Sequence, residues 1–285
     1  MKIYAWYVVL LFPVFLWSQD DLLAEIDKKD NDIVAEAAFK GLKIVNFEST
    51  KMLSKREFYF IVAHRFGSIK NGFDDFFGLD FANTRLHFLY GISDGLNISI
   101  ARSSFNKTYD SSLKYRLLNQ RAGESPVTLV GYSQLAVNTL LEEALILRPV
   151  DFSDRLSFTQ QLLISRKFND KLSLELMPTY FHEGYTAYAP QENSQYALGL
   201  GGRYKLGKRW SVNVDYGWHL NRADGSPFVN PLSIGVDIET GGHVFQLHFT
   251  NAQPTFESGF LGNAVGDWGS GDIYFGFNLS RVFNF

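Results

Sequence analysis

Six histidines, with serines and carboxylates around them, are the groups in this chain that can act on a substrate. Ser111-Ser112-Leu113-Lys114 has the S-x-x-K spacing of a lysine-activated serine. That chemistry needs a helix start, and the pattern here is that of a strand. His182-Glu183 stands beside one long connection and His219 beside the next. Such groups can meet across one rim, and with a rim serine they would give the base and nucleophile of a membrane-embedded, lipid-modifying hydrolase. Gly199-Leu200-Gly201-Gly202 reads as strand glycine that lets a wall curve, not as a phosphate-cradling loop. No spacing suggests a metal site, no cofactor is implied, and no catalytic set is assigned. Cysteine is absent, which excludes disulfides, thiolate metal sites and lipidated cysteines.

A larger polar set follows a different rule. Arg85, His87, Glu175, Arg203, Lys205, Asn213, Asp215, His219, Asp237, Glu239 and His248 hold the parity opposite to their apolar neighbours, as do Asn83, Lys171, Gln246 and Asn278. Residues of one parity share one face of a strand. In a closed barrel this set lines the lumen, either as a solute pathway or as a solvated, cross-linked wall. Its mixed signs set no anion or cation preference.

The elements that must position these residues are strands. In Arg209–Leu220 the residues Trp210, Val212, Val214, Tyr216, Trp218 and Leu220 alternate without exception with Arg209, Ser211, Asn213, Asp215, Gly217 and His219. Gly207-Lys208 is a two-residue turn joining this strand to its mirror image upstream. Reading on from Glu57 predicts twelve strands, with fourteen as the alternative: about 57–67, 80–92, 95–106, 108–122, 126–138, 155–167, 170–182, 194–206, 209–220, 231–240, 242–251 and 271–284. Short turns alternate with long connections except near Asn106-Lys107, as in a transmembrane barrel with its short turns in the periplasm. An even count places both ends of the barrel on the short-turn side. Trp210 and Trp218 would stand roughly 20 Å apart along the barrel axis, near the spacing of the aromatic girdles. The fold expected is all-β, a single antiparallel transmembrane barrel. A soluble sandwich is the competing architecture, and strands of this length count against it.

The strand from Asp272 to Phe285 alternates to its last residue, with Ile273, Phe275, Phe277, Leu279, Phe283 and Phe285 on one face. It reads as the strand that closes the cylinder. Phe283 and Phe285 resemble the C-terminal signal that barrel-assembly machinery recognises. Arg281 interrupts the apolar face near the end, where its head can reach the interface. At the other end, Met1-Lys2, the apolar run Ile3–Trp17 and Ser18 form a signal peptide over 1–18. A segment over 19–56 follows, then the barrel over 57–285. Residues 20–38 suit a short helix or mobile tail. Residues 41–49, GLKIVNFES, lack clean alternation, and a thirteenth strand would make the count odd, so they belong in the periplasm or as a plug in the lumen. The net charge of −3 argues against nucleic acid as a partner. Lipid of the bacterial outer membrane is the expected surroundings, and no periplasmic partner is identified.

Four stretches carry a family resemblance: His64-Arg65-Phe66-Gly67, Phe77-Gly78-Leu79-Asp80, Tyr90-Gly91 and Gly276-Phe277-Asn278-Leu279-Ser280-Arg281-Val282-Phe283. From about Phe39 to Phe285 the chain resembles an uncharacterised family of outer-membrane β-barrels from Bacteroidota, classified as a domain of unknown function. The resemblance implies a fold and a location, and brings no substrate or catalytic set. By parity His64 faces lipid headgroups and Arg65 points inward. The phenylalanine-rich loop Ile69 to Leu79 is expected either to fold inward as a constriction or to pack on its rim. Three functions fit: a porin-like pore or facilitated transporter for small solutes, a structural barrel or anchor for a periplasmic or cell-surface complex, and the embedded hydrolase.

Overall fold

In the computed structural model the described residues are 37–142, 148–240 and 243–284. The expected signal peptide, most of the expected helix or tail, and Phe285 lie outside them. Among the described residues there are twelve strands: β1 Glu57–Ser68, β2 Ala82–Ser93, β3 Leu96–Ser103, β4 Tyr109–Leu118, β5 Thr128–Val137, β6 Leu156–Lys167, β7 Leu172–Glu183, β8 Ser194–Lys205, β9 Trp210–His219, β10 Leu232–Thr240, β11 His243–Thr250 and β12 Tyr274–Asn284. Each pairs antiparallel with its sequence neighbour, and β1 pairs with β12, from Glu57↔Asn284 to Ser68↔Tyr274, to close the barrel. Closure satisfies every strand edge, a requirement in hydrocarbon, where an open edge has no water to bond.

Each strand turns one face in and one face out. In β9, Trp210 and Trp218 are 49% and 53% exposed on the outer face, while Ser211, Asn213, Asp215 and His219 are buried. The short turns are built by side chains. Asn169 Oδ1, for example, accepts the N–H groups of Lys171 (2.8 Å) and Leu172 (2.9 Å). Strand β3 ends earlier than its pattern predicts because a 3-10 turn, Phe105–Lys107, takes over, with Asn106 and Lys107 at positive φ. Strand β4 ends four residues short of the predicted boundary, ahead of a turn bridged by Arg121↔Ser125.

The interior is filled by two pieces of chain. Of residues 37–56, ahead of β1, positions 38–53 lie inside the lumen, with Phe39, Leu42, Ile44, Val45, Phe47 and Leu53 fully buried. The β11–β12 connection also dips inward, and its helix α1, Glu257–Gly262, is buried at every residue. The β1–β2 loop stays at its rim: Gly67 N–H bonds Gly78 O at 2.8 Å, and Phe73 is 83% exposed. Its expected alternative, an inward constriction, is not formed, and α1 takes that place.

Candidate functional site

The lumen segment is shaped by its own backbone first. Ile44 N–H bonds Phe47 O, and Ser49 N–H bonds Leu42 O, both at 2.8 Å. A single bridge, Lys43↔Glu48, completes a tight loop. This loop leaves N–H groups pointing at the wall, and Asp215 of β9 collects them. Its Oδ2 accepts from Val45 (2.9 Å), Asn46 (2.7 Å) and Phe47 (3.1 Å). A carboxylate aimed at successive N–H groups makes charge-assisted bonds, stronger than neutral ones. Around it, the Asn46 amide donates to Ser233 Oγ (2.9 Å) and accepts from Arg65 Nη2 (3.0 Å). Arg65 also donates to Asn278 Oδ1 at 3.1 Å, and Asn278 Nδ2 donates to Val45 O at 3.1 Å. Farther along the segment, Asn97 of β3 accepts from Leu53 N–H (2.9 Å) and returns a bond to Leu53 O (3.2 Å).

Glycine makes the room. A Cβ on Gly199 would lie 2.7 Å from Phe47 Cε1, and one on Gly217 would lie 3.2 Å from Phe47 Cζ. A Cβ on Gly201 would run into Ile44, and one on Gly235 would lie 3.3 Å from Val45 Cγ2. These inward glycines of β8, β9 and β10 form a trough that receives Ile44–Phe47, so the reading of Gly199–Gly202 as glycine for curvature alone is corrected. Phe47 then packs edge-on against Phe260 of α1, with ring centroids 4.8 Å apart.

Opposite the trough the contacts are charged. Lys43 Nζ lies 2.9 Å from Glu48 and 3.1 Å from Glu257 of α1, and Lys114 Nζ of β4 lies 3.2 Å from Glu48. Arg85 meets Asp110 at 2.6 Å beside them, and Tyr132 O–H donates to Glu257 at 3.2 Å. Burial alone would push the Glu48 carboxyl up. Lys43 and Lys114 outweigh it and hold Glu48 down at about 2. Burial opposes the Lys43 charge, and Glu257 and Glu48 overcome it, so its pKa stands above the ordinary value. Burial dominates at Glu257, whose pKa is raised.

The structure places Arg85, His87, Glu175, Arg203, Asn213, Asp215, His219, Asp237 and His248 buried on the inner face, with Glu239 half-buried and Lys205 near the short-turn rim. Arg65 is fully inside, whereas His64 is outside, stacked on Phe277 with ring centroids 5.1 Å apart. Phe283, half-buried, stands on the outer face beside Phe58, with ring centroids 6.0 Å apart. In the S-x-x-K stretch, Ser111 faces out and Lys114 faces in, because a spacing of three reverses the face of a strand. That pair cannot act together. His219 and Glu183 do come together, inside the wall, through Gln195: His219 Nε2 and Gln195 Oε1 are 2.8 Å apart, and Gln195 Nε2 donates to Glu183 at 2.8 Å. His182 faces out instead, with Nδ1 3.1 Å from Ser194 Oγ. No carboxylate bonds His182 among the described residues, so the expected rim cluster is split between the two faces. Sequence reasoning missed Asn46, Glu48, Glu257 and Asn97. For Asn46, Glu48 and Glu257 the only signal was apolar and charged residues without periodicity in segments that are not strands, whereas Asn97 sits at an inward position of β3.

None of the curated proteins matches the chain. Among solved structures, the NanC porin superposes with a TM-score of 0.50 at 9% identity, covering 80% of this chain and 99% of the porin. The KdgM porin gives 0.46 at 8% identity, with the same coverage. At these identities the likeness to NanC is one of fold, and the KdgM value adds nothing to it. Residues 39–283 match a family model described as a membrane bound beta barrel domain, which spans the strands, the lumen segment and α1 alike. With nearly all of the described chain inside that match, this protein belongs to the membrane bound beta barrel domain family.

Proposed function

We propose that this chain is a small-solute channel of the bacterial outer membrane, of the Bacteroidota group that its motifs resemble, closed in the described state by its own residues 37–56. One observation carries the reading. The inner wall bears buried ionisable groups on strands around its circumference, among them Arg65, Arg85, Lys114, Glu175, Asp215, Asp237 and His248, and a covalently attached segment and α1 occupy the space between them. A barrel built solely to be solid would gain more from an apolar core, because buried charges cost desolvation that pairing only offsets. Withdrawal of the segment would leave a polar lumen narrowed by α1, of the kind that conducts. The same polar residues, from Arg85 to His248, would then border the solute.

The test is conductance in a planar bilayer of the full chain and of a chain lacking residues 20–50, each shown to be a folded barrel by heat-modifiable gel migration. Steady conductance in the shortened chain, with closure or brief openings in the full one, supports the plugged channel. Silence in both sinks the pore reading. The structural-anchor reading would then stand. It is favoured by the packing of Phe47, Phe260, Met177 and Phe181 in one continuous buried cluster across the lumen.

A further inference from the structure

The outer face of the barrel is apolar over most of its circumference. Between the rims, β7–β9 present residues such as Leu176, Leu200 and Val214. Outward polar side chains elsewhere among the described residues keep toward strand ends, as His182, Ser194 and Arg281 do, or meet a partner, as His64 Nδ1 and Thr84 Oγ1 do at 2.9 Å. On β4, β5 and β6 the pattern breaks, and Ser111, Ser133 and Gln160 face out together. The register places Ser133 opposite Gln160 and Ser111 opposite Leu135, so the three are neighbours. Ser133 stands five residues above the periplasmic end of its strand, which is roughly 13 Å up an apolar band roughly 25 Å tall.

Ser133 Oγ donates to Gln160 Oε1 at 2.6 Å. That bond uses one acceptor and leaves the two N–H donors of the Gln160 amide, and the Ser111 hydroxyl, with no partner among the described residues. A lipid chain can supply none, and an unpaired amide in hydrocarbon costs several kcal/mol. The surface there is also uneven. A hollow of about 430 Å³ lies over Ser111, Ser133 and Gln160, and a second of about 480 Å³ lies beside it along Tyr109 and Leu135. Ile100, at 65% exposure, stands on the edge of the second hollow as a knob.

We infer that the β4–β6 face is where a second copy of this chain packs within the membrane. One patch holds both the free donors and the free acceptors, and both the knob and the hollow. A two-fold axis through it therefore satisfies each copy with the other, which is the condition for an isologous contact. Polar side chains and small residues drive association in lipid, where apolar area alone gives no preference. The inference is independent of whether the lumen conducts.

The chain contains no cysteine, so single cysteines report contact cleanly. Leu135→Cys in this face and Leu200→Cys on β8, three strands round the barrel, would each be reconstituted in phosphatidylcholine vesicles at low protein density and oxidised. Disulfide-linked dimer is expected with Leu135→Cys and not with Leu200→Cys. Adding Gln160→Leu to Leu135→Cys should lower the cross-linked yield at least five-fold while the folded barrel persists by gel migration. Sedimentation equilibrium of the unaltered chain in density-matched detergent should give twice the chain mass. A monomer mass, equal cross-linking at the two positions, or none at position 135 overturns the inference.

Discussion

The lumen segment meets its barrel in two unlike ways. Against β8–β10 it is held by shape. Ile44, Val45 and Phe47 fill a trough that glycines leave open, and Asp215 gathers three N–H groups that the loop cannot bond itself. Against β4 and α1 it is held by charge, through Lys43, Glu48, Lys114 and Glu257. Shape contacts are dispersion and burial, which depend little on pH and fall away once side chains separate. Buried charge contacts rest on every partner being present and ionised, because a lone survivor carries an uncompensated desolvation cost. The charged side is thus the one that solution conditions can loosen, and the glycine side sets where the segment returns.

Glu48→Ala should have the largest effect, because Lys43 and Lys114 both lose their shared counter-charge. Breaking a buried pair from one side costs about 3–5 kcal/mol. The expected outcome is a lumen segment open to trypsin at Lys43 and Lys51 in a barrel that still migrates as folded, and an unchanged digestion pattern would refute the charge-held side. Gly199→Leu attacks the other side. Its side chain would occupy the place of the Phe47 ring, and such overpacking costs about 1–3 kcal/mol. Conductance bursts should appear in the bilayer, and a silent trace identical to that of the unaltered chain would show that the trough does not position the segment.

Asp215→Asn is milder. The amide oxygen can still accept the three N–H groups but without charge, a loss of about 1–2 kcal/mol. Amide hydrogen exchange at Val45, Asn46 and Phe47 should speed up selectively, and exchange no faster than before would remove Asp215 from the account. Acid should give a graded version of the first variant. Glu48 is held at about 2, below the ordinary 4.5, so the stability it lends is complete above about 4.5 and is lost as pH falls toward about 2. Glu257, pushed up by burial, takes its proton earlier and leaves Lys43 with Glu48 alone. Channel opening or protease access should therefore rise on acidification through that window and should be flat with pH in Glu48→Ala. A response of equal size in the variant would place the acid sensitivity elsewhere. Finally, Val45→Cys with Gly235→Cys should lock the segment on its shape-held side, since a Cβ at 235 already approaches Val45. Acid opening that survives the lock would mean that the charged side moves by itself.

The fold was legible because a membrane barrel imposes a local rule. Lipid outside and polar groups inside write the face of each residue into a period of two, so Trp210 and Asp215 declared their sides before any contact was known. The outward serines and glutamine of β4–β6 were equally open to inspection, as breaks in that period. The lumen segment obeyed no period, because residues 41–49 meet wall on several sides and follow a tight loop, not a strand. The parity rule identified Asp215 and Asn278 as inward, and it carried no information on what each would bond.

By itself, then, the sequence determined the strands, their number, their order and the face of each side chain, since these follow from neighbours two residues apart. Tertiary structure alone decided that Val45 would meet Asn278 and Lys43 would meet Glu257, across separations of 233 and 214 residues. It also decided that glycines in β8–β10 would serve as a socket, and that α1 would fold inward while the β1–β2 loop remained on the rim. The physical reason is closure. Only when β1 pairs with β12 does the wall enclose a space, and only within that space do the unbonded N–H groups of one short segment and the carboxylates of distant strands find each other.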